Sequence, residues 1–338
     1  LGIKRGINMR KTIYLFNEGE LRRKDNTIFF ETNNSKKPLP VEDIGEICII
    51  GEVGTSKKFL EFCTSNDIIV HYFNYHEYYV GSYYPREHYN SGYMILKQAE
   101  HYMDESKRKY LAHKFISGSA LNILNVLRYY SNRNKNVEDN INKISELLNK
   151  LDVNMDIEQM MAIEGNIRET YYSSFDIILE NDEFSFEVRT KRPPQNKMNS
   201  LISFGNSLLY TTVLGEIYNT HLDPRIGYLH STNNRRFTLN LDVAEIFKPI
   251  IVDRVIFTLI GKKMLQSKHF NKNLNSILLN EEGMKIFLTQ YTEKLKSVFM
   301  HNELERHVSY KRLIRMELYK VEKHLMGDKL YDPFISKW

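Results

Sequence analysis

A chain of 338 residues has material for two domains, or one large one, and for a sizeable buried core. Hydrophobic residues are 42% and charged residues 26%, the balance of an ordinary globular protein, and no stretch approaches the roughly 18 apolar residues of a membrane helix. The net charge of +5 leans only mildly toward polyanions, and Cys48 and Cys63, lacking any CxxC partner, exclude thiolate zinc sites and fit a reducing cytoplasm.

Residues 1–8 are short and basic with no apolar core, unlike a signal peptide; Met9 reads as the natural start and 1–8 as an extension. The next part reads as β-rich. Residues 12–16 and 27–31 are β-branched and aromatic runs, with turn chemistry at Lys24-Asp25-Asn26 between them. Residues 44–50 form another strand. Thr55 and Ser56 offer an N-cap for a helix over 57–65, with Phe59, Leu60 and Cys63 at helical spacing. Strands over 68–73 and 78–84 follow, and Pro85 closes the region. After about Tyr89 the apolar period becomes helical. Helices are expected over 91–110, 110–130, 137–151, 157–179, 199–221, 242–265 and 281–325, with a basic break at 184–196 that contains Pro193-Pro194. The expected fold class is α+β in two domains: a small N-terminal β-sheet domain over 9–88 and a larger all-α catalytic domain over 89–338.

Three scattered segments carry candidate chemistry. Glu164 lies in Ile163-Glu164-Gly165-Asn166-Ile167-Arg168, inside the stripe Ile157, Met160, Met161, Ile167, Tyr171. A lone buried carboxylate must be neutral, paired or metal-bound; an ion pair with Arg168 at i+4 competes with a ligand role. His230 ends a Gly-containing turn and precedes a polar loop. It is either a satisfied structural histidine or a neutral imidazole ligand. Asp242 and Glu245 open a helix in Leu241-Asp242-Val243-Ala244-Glu245-Ile246-Phe247-Lys248-Pro249. Asp-x-x-Glu matches a capping box, yet it also sets two carboxylates on one ridge. Pro249 should kink that helix. Two carboxylates and an imidazole form a ligand set for Mg²⁺ or Mn²⁺. The clusters Arg189, Lys191, Arg192, Lys197 and Arg235, Arg236, and the stripe Arg306, Lys311, Arg312, Arg315, Lys320, Lys323, are either solvated faces or polyanion contacts. P-loop, dinucleotide-fold, nucleophile-elbow and HExxH motifs are absent. The 22 Tyr and 18 Phe read mostly as core.

Glu164-Gly165 with Arg168 and Tyr172, Arg192-Pro193-Pro194 with Asn199-Ser200-Leu201-Ile202-Ser203-Phe204-Gly205, Leu222-Asp223-Pro224 with Ile226-Gly227-Tyr228-Leu229-His230, the acidic segment above with Asp253-Arg254, and Tyr331-Asp332-Pro333-Phe334 together resemble, in this order, the CRISPR-associated integrase/endonuclease family of spacer acquisition. The likeness covers essentially residues 9–338. Two positions depart from the family pattern: Asn206 stands where an aromatic is frequent, and Glu245 where some branches carry Asp.

The resemblance implies a metal-dependent DNA endonuclease and integrase, in which the 3′-hydroxyl of a short DNA fragment attacks a phosphodiester of a CRISPR array. It implies Glu164, His230 and Glu245 as ligands of Mg²⁺ or Mn²⁺, with Asp242 as an accessory catalytic acid. It further implies a homodimer through the N-terminal domain, two dimers bridged by a small second-numbered Cas protein, and DNA as substrate. Tyr72, Tyr75, Tyr78, Tyr79, Tyr83 and Tyr84 are either that interface or sheet core. Arg192, Arg235, Arg236 and Arg254 are the expected DNA backbone contacts, and the cytoplasm is the expected location. The alternatives are a stand-alone structure-selective nuclease and a non-catalytic nucleic-acid scaffold.

Overall fold

The structure, a computed structural model, describes residues 10–74, 78–85, 89, 91–231, 237–273, 276–301 and 305–337. The chain divides into two compact units, residues 1–88 and 89–338. Residues 1–9 lie outside the described part, and with them the expected extension.

In the first unit, β1 (Lys11–Leu15), β2 (Gly19–Lys24), β3 (Thr27–Thr32), β4 (Ser35–Leu39), β5 (Ile44–Ile49) and β6 (Val53–Thr55) lead into α1 (Lys57–Ser65), then β7 (Ile69–Phe73) and β8 (Tyr79–Tyr83). One sheet runs β1-β5-β7-β8, with β1, β5 and β7 parallel and β8 antiparallel to β7. The other runs β4-β3-β2-β6, an antiparallel meander with β6 parallel to β2. β5 is nearly continuous in buried residues, as a central strand covered on both faces must be. The β2–β3 turn places Asp25 at φ 54°, which a short polar side chain tolerates. Ser56 caps α1 by accepting from the Phe59 N–H, and α1 buries Phe59, Phe62 and Cys63.

Leu21, Ile28, Ile44, Ile47, Phe59, Ile68 and Val70 belong to one core. The tyrosines read as either interface or sheet core are half-buried: Tyr72 and Tyr83 pack on that core, and Tyr78, Tyr79 and Tyr84 are likewise partly covered. Tyr75 lies outside the described residues. Neither cysteine forms a disulfide among the described residues; both are buried, and burial pushes the Cys63 thiol up to about 12.

In the second unit, α2 (Gly92–Met103) and α3 (Glu105–Ser131) are separated at Asp104, whose carboxylate caps α3 by accepting from Lys107 N–H. α4 (Glu138–Lys150), α5 (Ile157–Ser173), α6 (Phe175–Leu179) and α7 (Lys197–Tyr218) follow. α7 is apolar all round and buried along most of its length, so it is the central helix. Gly205 on α7 has no room for a side chain: a Cβ would meet Val252 at 2.5 Å and Phe287 at 3.0 Å.

α8 (Leu239–Phe247) continues through a π-helical turn, Pro249–Asp253, into α9 (Arg254–Gly261). The expected kink at Pro249 thus takes the form of a widened turn, closed by Asp253 N–H to Lys248 C=O. Then come β9 (Phe270–Asn273), β10 (Ser276–Leu279), α10 (Glu281–Lys296), β11 (Val298–His301), β12 (Arg306–Ser309) and α11 (Tyr310–Met326). The second unit is therefore not all-α. Two antiparallel hairpins, β9–β10 and β11–β12, interrupt it, and the second divides the single helix expected over 281–325. Among the described residues no helix is long and apolar enough to cross a membrane.

Candidate metal and phosphodiester site

The histidine segment is held from three sides. The buried Gln98 amide on α2 donates to the carbonyls of Asp223 and Ile226 and accepts from Asp223 N–H. Arg108 on α3 donates to Tyr228 C=O at 3.0 Å. From α8, the fully buried Asp242 carboxylate accepts the N–H groups of Tyr228, Leu229 and His230 at 2.6, 3.0 and 3.0 Å. Its Oδ1 also lies 2.8 Å from His230 Nδ1. Gly227 allows this approach, since a Cβ there would sit 2.7 Å from the Thr238 backbone and 2.8 Å from Asp242 Oδ2.

Asp242 therefore does not form the capping box that its spacing from Glu245 matches. α8 begins three residues earlier, after Thr238, and Asp242 reaches across to the loop. With four bonds on its two oxygens it orients His230 and has little capacity left for an ion. A proton on Nδ1 facing Asp242 leaves the Nε2 lone pair outward, the tautomer a metal-binding imidazole needs. Burial alone would lower the His230 pKa; the Asp242 carboxylate overrides it, and the net shift is upward.

Glu245 lies one turn along α8, buried, with one oxygen on Lys248 and the other on Arg168. Lys248 is itself buried over the Tyr210 ring. Pro249 has no N–H, so the Glu245 carbonyl loses its intrahelical partner. Arg168 supplies one, donating from Nη2 to Glu245 O at 3.2 Å and to Ser119 Oγ on α3 at 3.0 Å. Although burial opposes ionisation, Arg168 and Lys248 hold the Glu245 carboxyl down at about 2.

Glu164 on α5 is the more open acid, its side chain 24% exposed, and it accepts from Arg168 Nε at 3.0 Å. The stripe expected around it is narrower than its spacing implies: Met160, Ile167 and Tyr171 are buried, but Met161 is exposed and Ile157 only half-buried. Gly165 has open space where a side chain would stand. The i+4 ion pair with Arg168 is present, and the same guanidinium also holds Glu245. Two carboxylates distant in sequence thus converge on one cation.

The donor types fit a divalent ion: two carboxylates and an imidazole in the right tautomer. As placed, both Glu245 oxygens and one Glu164 oxygen are spent on Arg168 and Lys248. Among the described residues no three His, Cys, Asp or Glu side chains close on a common point that could hold a metal.

Sequence reasoning gave no role to two buried neighbours, Lys248 and Asp253. Asp253, on the π turn, is fully buried near the Tyr171 hydroxyl, and burial pushes its carboxyl up to about 7. The signal for both was their closeness to Pro249, which redirects the backbone there. Of the expected DNA contacts, Arg192 is exposed ahead of α7. Arg254 stacks 4.0 Å over Tyr129 and is half-buried. Arg235 and Arg236 lie outside the described residues.

Comparison with known proteins bears on what this arrangement is for. Residues 13–293 match the family model of the CRISPR associated protein Cas1. The chain belongs to the Cas1 family. It is 58% identical over 330 residues to a CRISPR-associated endonuclease Cas1 of Thermodesulfovibrio yellowstonii, covering 98% of this chain and all of that one. It is 47% identical to a CRISPR-associated endonuclease Cas1 of Thermotoga maritima, over 95% of this chain and 98% of that one. The solved structure of a CAS1 protein from Thermotoga maritima superposes with a TM-score of 0.84 at 45% identity, over 96% of this chain and 99% of that one. The Cas1 likeness thus spans both units, and the two-part α+β organisation is that of the family.

Proposed function

We propose that this Cas1-family chain is a divalent-metal-dependent DNA endonuclease and integrase that inserts short DNA fragments into a CRISPR array. The observation that carries the reading is the convergence of Glu164 and Glu245 on one cation, in a chain similar over nearly its whole length to proteins named CRISPR-associated endonucleases. Glu164, Glu245 and His230 Nε2 would hold Mg²⁺ or Mn²⁺. The bound ion would polarise a phosphodiester and stabilise the charge that develops on it. In the chain itself, Asp242 fixes the imidazole, while Arg168 and Lys248 keep Glu245 ionised. The two acids are already balanced by these two cations, so an added divalent ion leaves the cluster net positive, which favours a phosphate at that point. DNA, a second copy of this chain and a small second-numbered Cas protein are the proposed partners. The family resemblance supports the N-terminal dimer, and the half-buried tyrosines of that unit are compatible with either an interface or a sheet role.

The closed ion-pair cluster favours a second reading, a non-catalytic nucleic-acid scaffold in which Arg168 and Lys248 permanently neutralise the acids. Glu164→Ala separates the two. The enzyme reading predicts that Mn²⁺-dependent cleavage and strand joining of labelled oligonucleotides fall at least about a hundredfold, with DNA binding kept. Unchanged cleavage sinks the site assignment. Fragments without joined products would restrict the chain to hydrolysis, as in a stand-alone nuclease.

A further inference from the structure

One nitrogen of the cation at the centre of the site is left without an acceptor. Arg168 spends Nε on Glu164 and Nη2 on Glu245 and Ser119, while its buried Nη1 has no hydrogen-bond partner among the described residues. A guanidinium offers five N–H donors in a fixed fork, and a buried donor left unused calls for an explanation. Lys248 shares the situation of Arg168, since it too is buried and rests on Glu245.

Asp253 is the matching acceptor. It follows Lys248 through the π turn, whose extra residue rotates what comes after it by about 100° around the helix axis, and it is buried there. Arg168 and Tyr171, three residues apart on one ridge of α5, both act on it in favour of its charged form, Arg168 the more strongly. Burial outweighs them and holds the carboxyl up at about 7, so Asp253 takes a proton readily while Arg168 stays on the other two acids. The carboxylates that act on Arg168 are Glu245, Glu164 and Asp253, and the first two are those that a divalent ion would take.

A buried guanidinium stripped of both carboxylates is costly unless another negative charge replaces them. We propose that Asp253 is a positioning residue of the site: as Glu164 and Glu245 turn to a divalent ion, Arg168 passes its unused Nη1 to the Asp253 carboxylate and stays buried beside them. This hand-over rests on the metal reading given above. It lets the acids open without leaving a buried cation uncompensated, and Lys248, which also acts on Asp253, gains from the same charge. An amide of the same shape could fill the space of Asp253, but it could not neutralise Arg168.

The test uses the full chain without DNA and reads bound Mn²⁺ from the loss of the free-ion paramagnetic resonance signal. Asp253→Asn, which keeps the shape, should weaken Mn²⁺ binding at least about tenfold, because the binding-competent arrangement becomes rarer. In the Arg168→Met background there is no guanidinium to rehouse, and Asp253→Asn should change Mn²⁺ affinity by less than about twofold. Crystals of the parent soaked in Mn²⁺ should show Arg168 within about 3 Å of the Asp253 carboxylate, a readout that stands even if Asp253→Asn does not fold. Parent-like Mn²⁺ affinity in Asp253→Asn overturns the proposal. So does equal weakening with and without Arg168, which would make Asp253 a distant charge only, and so does bound Mn²⁺ with Arg168 away from Asp253. Glu164→Ala separates this hand-over from the metal reading beneath it. If Glu164→Ala loses Mn²⁺ affinity and Asp253→Asn does not, the metal site stands and the hand-over falls; if Glu164→Ala binds Mn²⁺ like the parent, both fall.

Discussion

The Arg168 guanidinium donates to Glu164, Ser119 and both the carboxylate and the carbonyl of Glu245, tying α5, α3 and α8 together at one point. A buried cation with this many partners is costly to remove, because Glu245 stays behind with part of its compensation gone. Arg168→Met should lower stability by about 3 kcal/mol, roughly 6–12 °C in Tm for a unit of this size. If Glu164 and Glu245 are metal ligands, Mn²⁺ should raise the variant's Tm by more than it raises the parent's, since the ion then replaces the missing positive charge. An equal Mn²⁺ shift in both proteins would separate the acids from metal binding. Local sequence shows the Glu164–Arg168 pair, because i+4 spacing is legible. It cannot show that Glu245 shares the same guanidinium, since only the fold brings α5 and α8 together. Asp242 misleads for a related reason: Asp-x-x-Glu reads as a cap, and only the folded loop reveals where its oxygens go.

At the scale of elements, the site is built where two irregularities meet. The loop carrying His230 is locked by Asp242, and α8 widens at Pro249 into the π turn that buries Asp253. Gly227 is a close approach within this junction. Gly227→Ala would force a Cβ against the Thr238 and Leu239 backbones and Asp242 Oδ2. An overpacking cost of about 1–3 kcal/mol is expected, with His230 losing its orientation. Cleavage should therefore fall more than DNA affinity does, as read by parallel cleavage and anisotropy assays. A proportional loss of both would place the effect in general destabilisation. The long helices were legible from their apolar period, and α1 from Ser56. The hairpins β9–β10 and β11–β12 were not: strands of four residues are too short to show an alternation among helices. β2 and β4 were missed because their Lys, Arg, Gly and Pro content lacks a strand composition.

At the scale of the whole molecule, the C-terminal segment is tied to the helical unit through a histidine that must stay neutral. His324 Nδ1 accepts from Tyr331 N–H, its ring stacks on Tyr110, and His101 meets it edge-on. Burial, aided by His101 and Lys107, holds its pKa down at about 4. The unfolded chain takes up this proton near the ordinary histidine value of about 6.5, and the folded chain only near 4. Stability is then complete above the unfolded value and falls as pH drops from about 6.5 to 4, by on the order of 2 kcal/mol. His324→Phe keeps a ring on Tyr110 and should remove one proton's worth of that slope in urea unfolding followed across this range. An unchanged slope would assign the acid sensitivity to other groups. The two-part α+β organisation was legible because the apolar period changes near Tyr89, and the family was legible because its motifs survive in order over nearly the full length.

The central claim is that Glu164, His230 and Glu245 share a divalent ion. Crystals soaked in Mn²⁺ and measured at the manganese absorption edge test it most directly. The account predicts an anomalous peak within ligand distance of both carboxylates and His230 Nε2, with Arg168 displaced from at least one acid. No peak there at saturating Mn²⁺, with Arg168 still bridging Glu164 and Glu245, would contradict it.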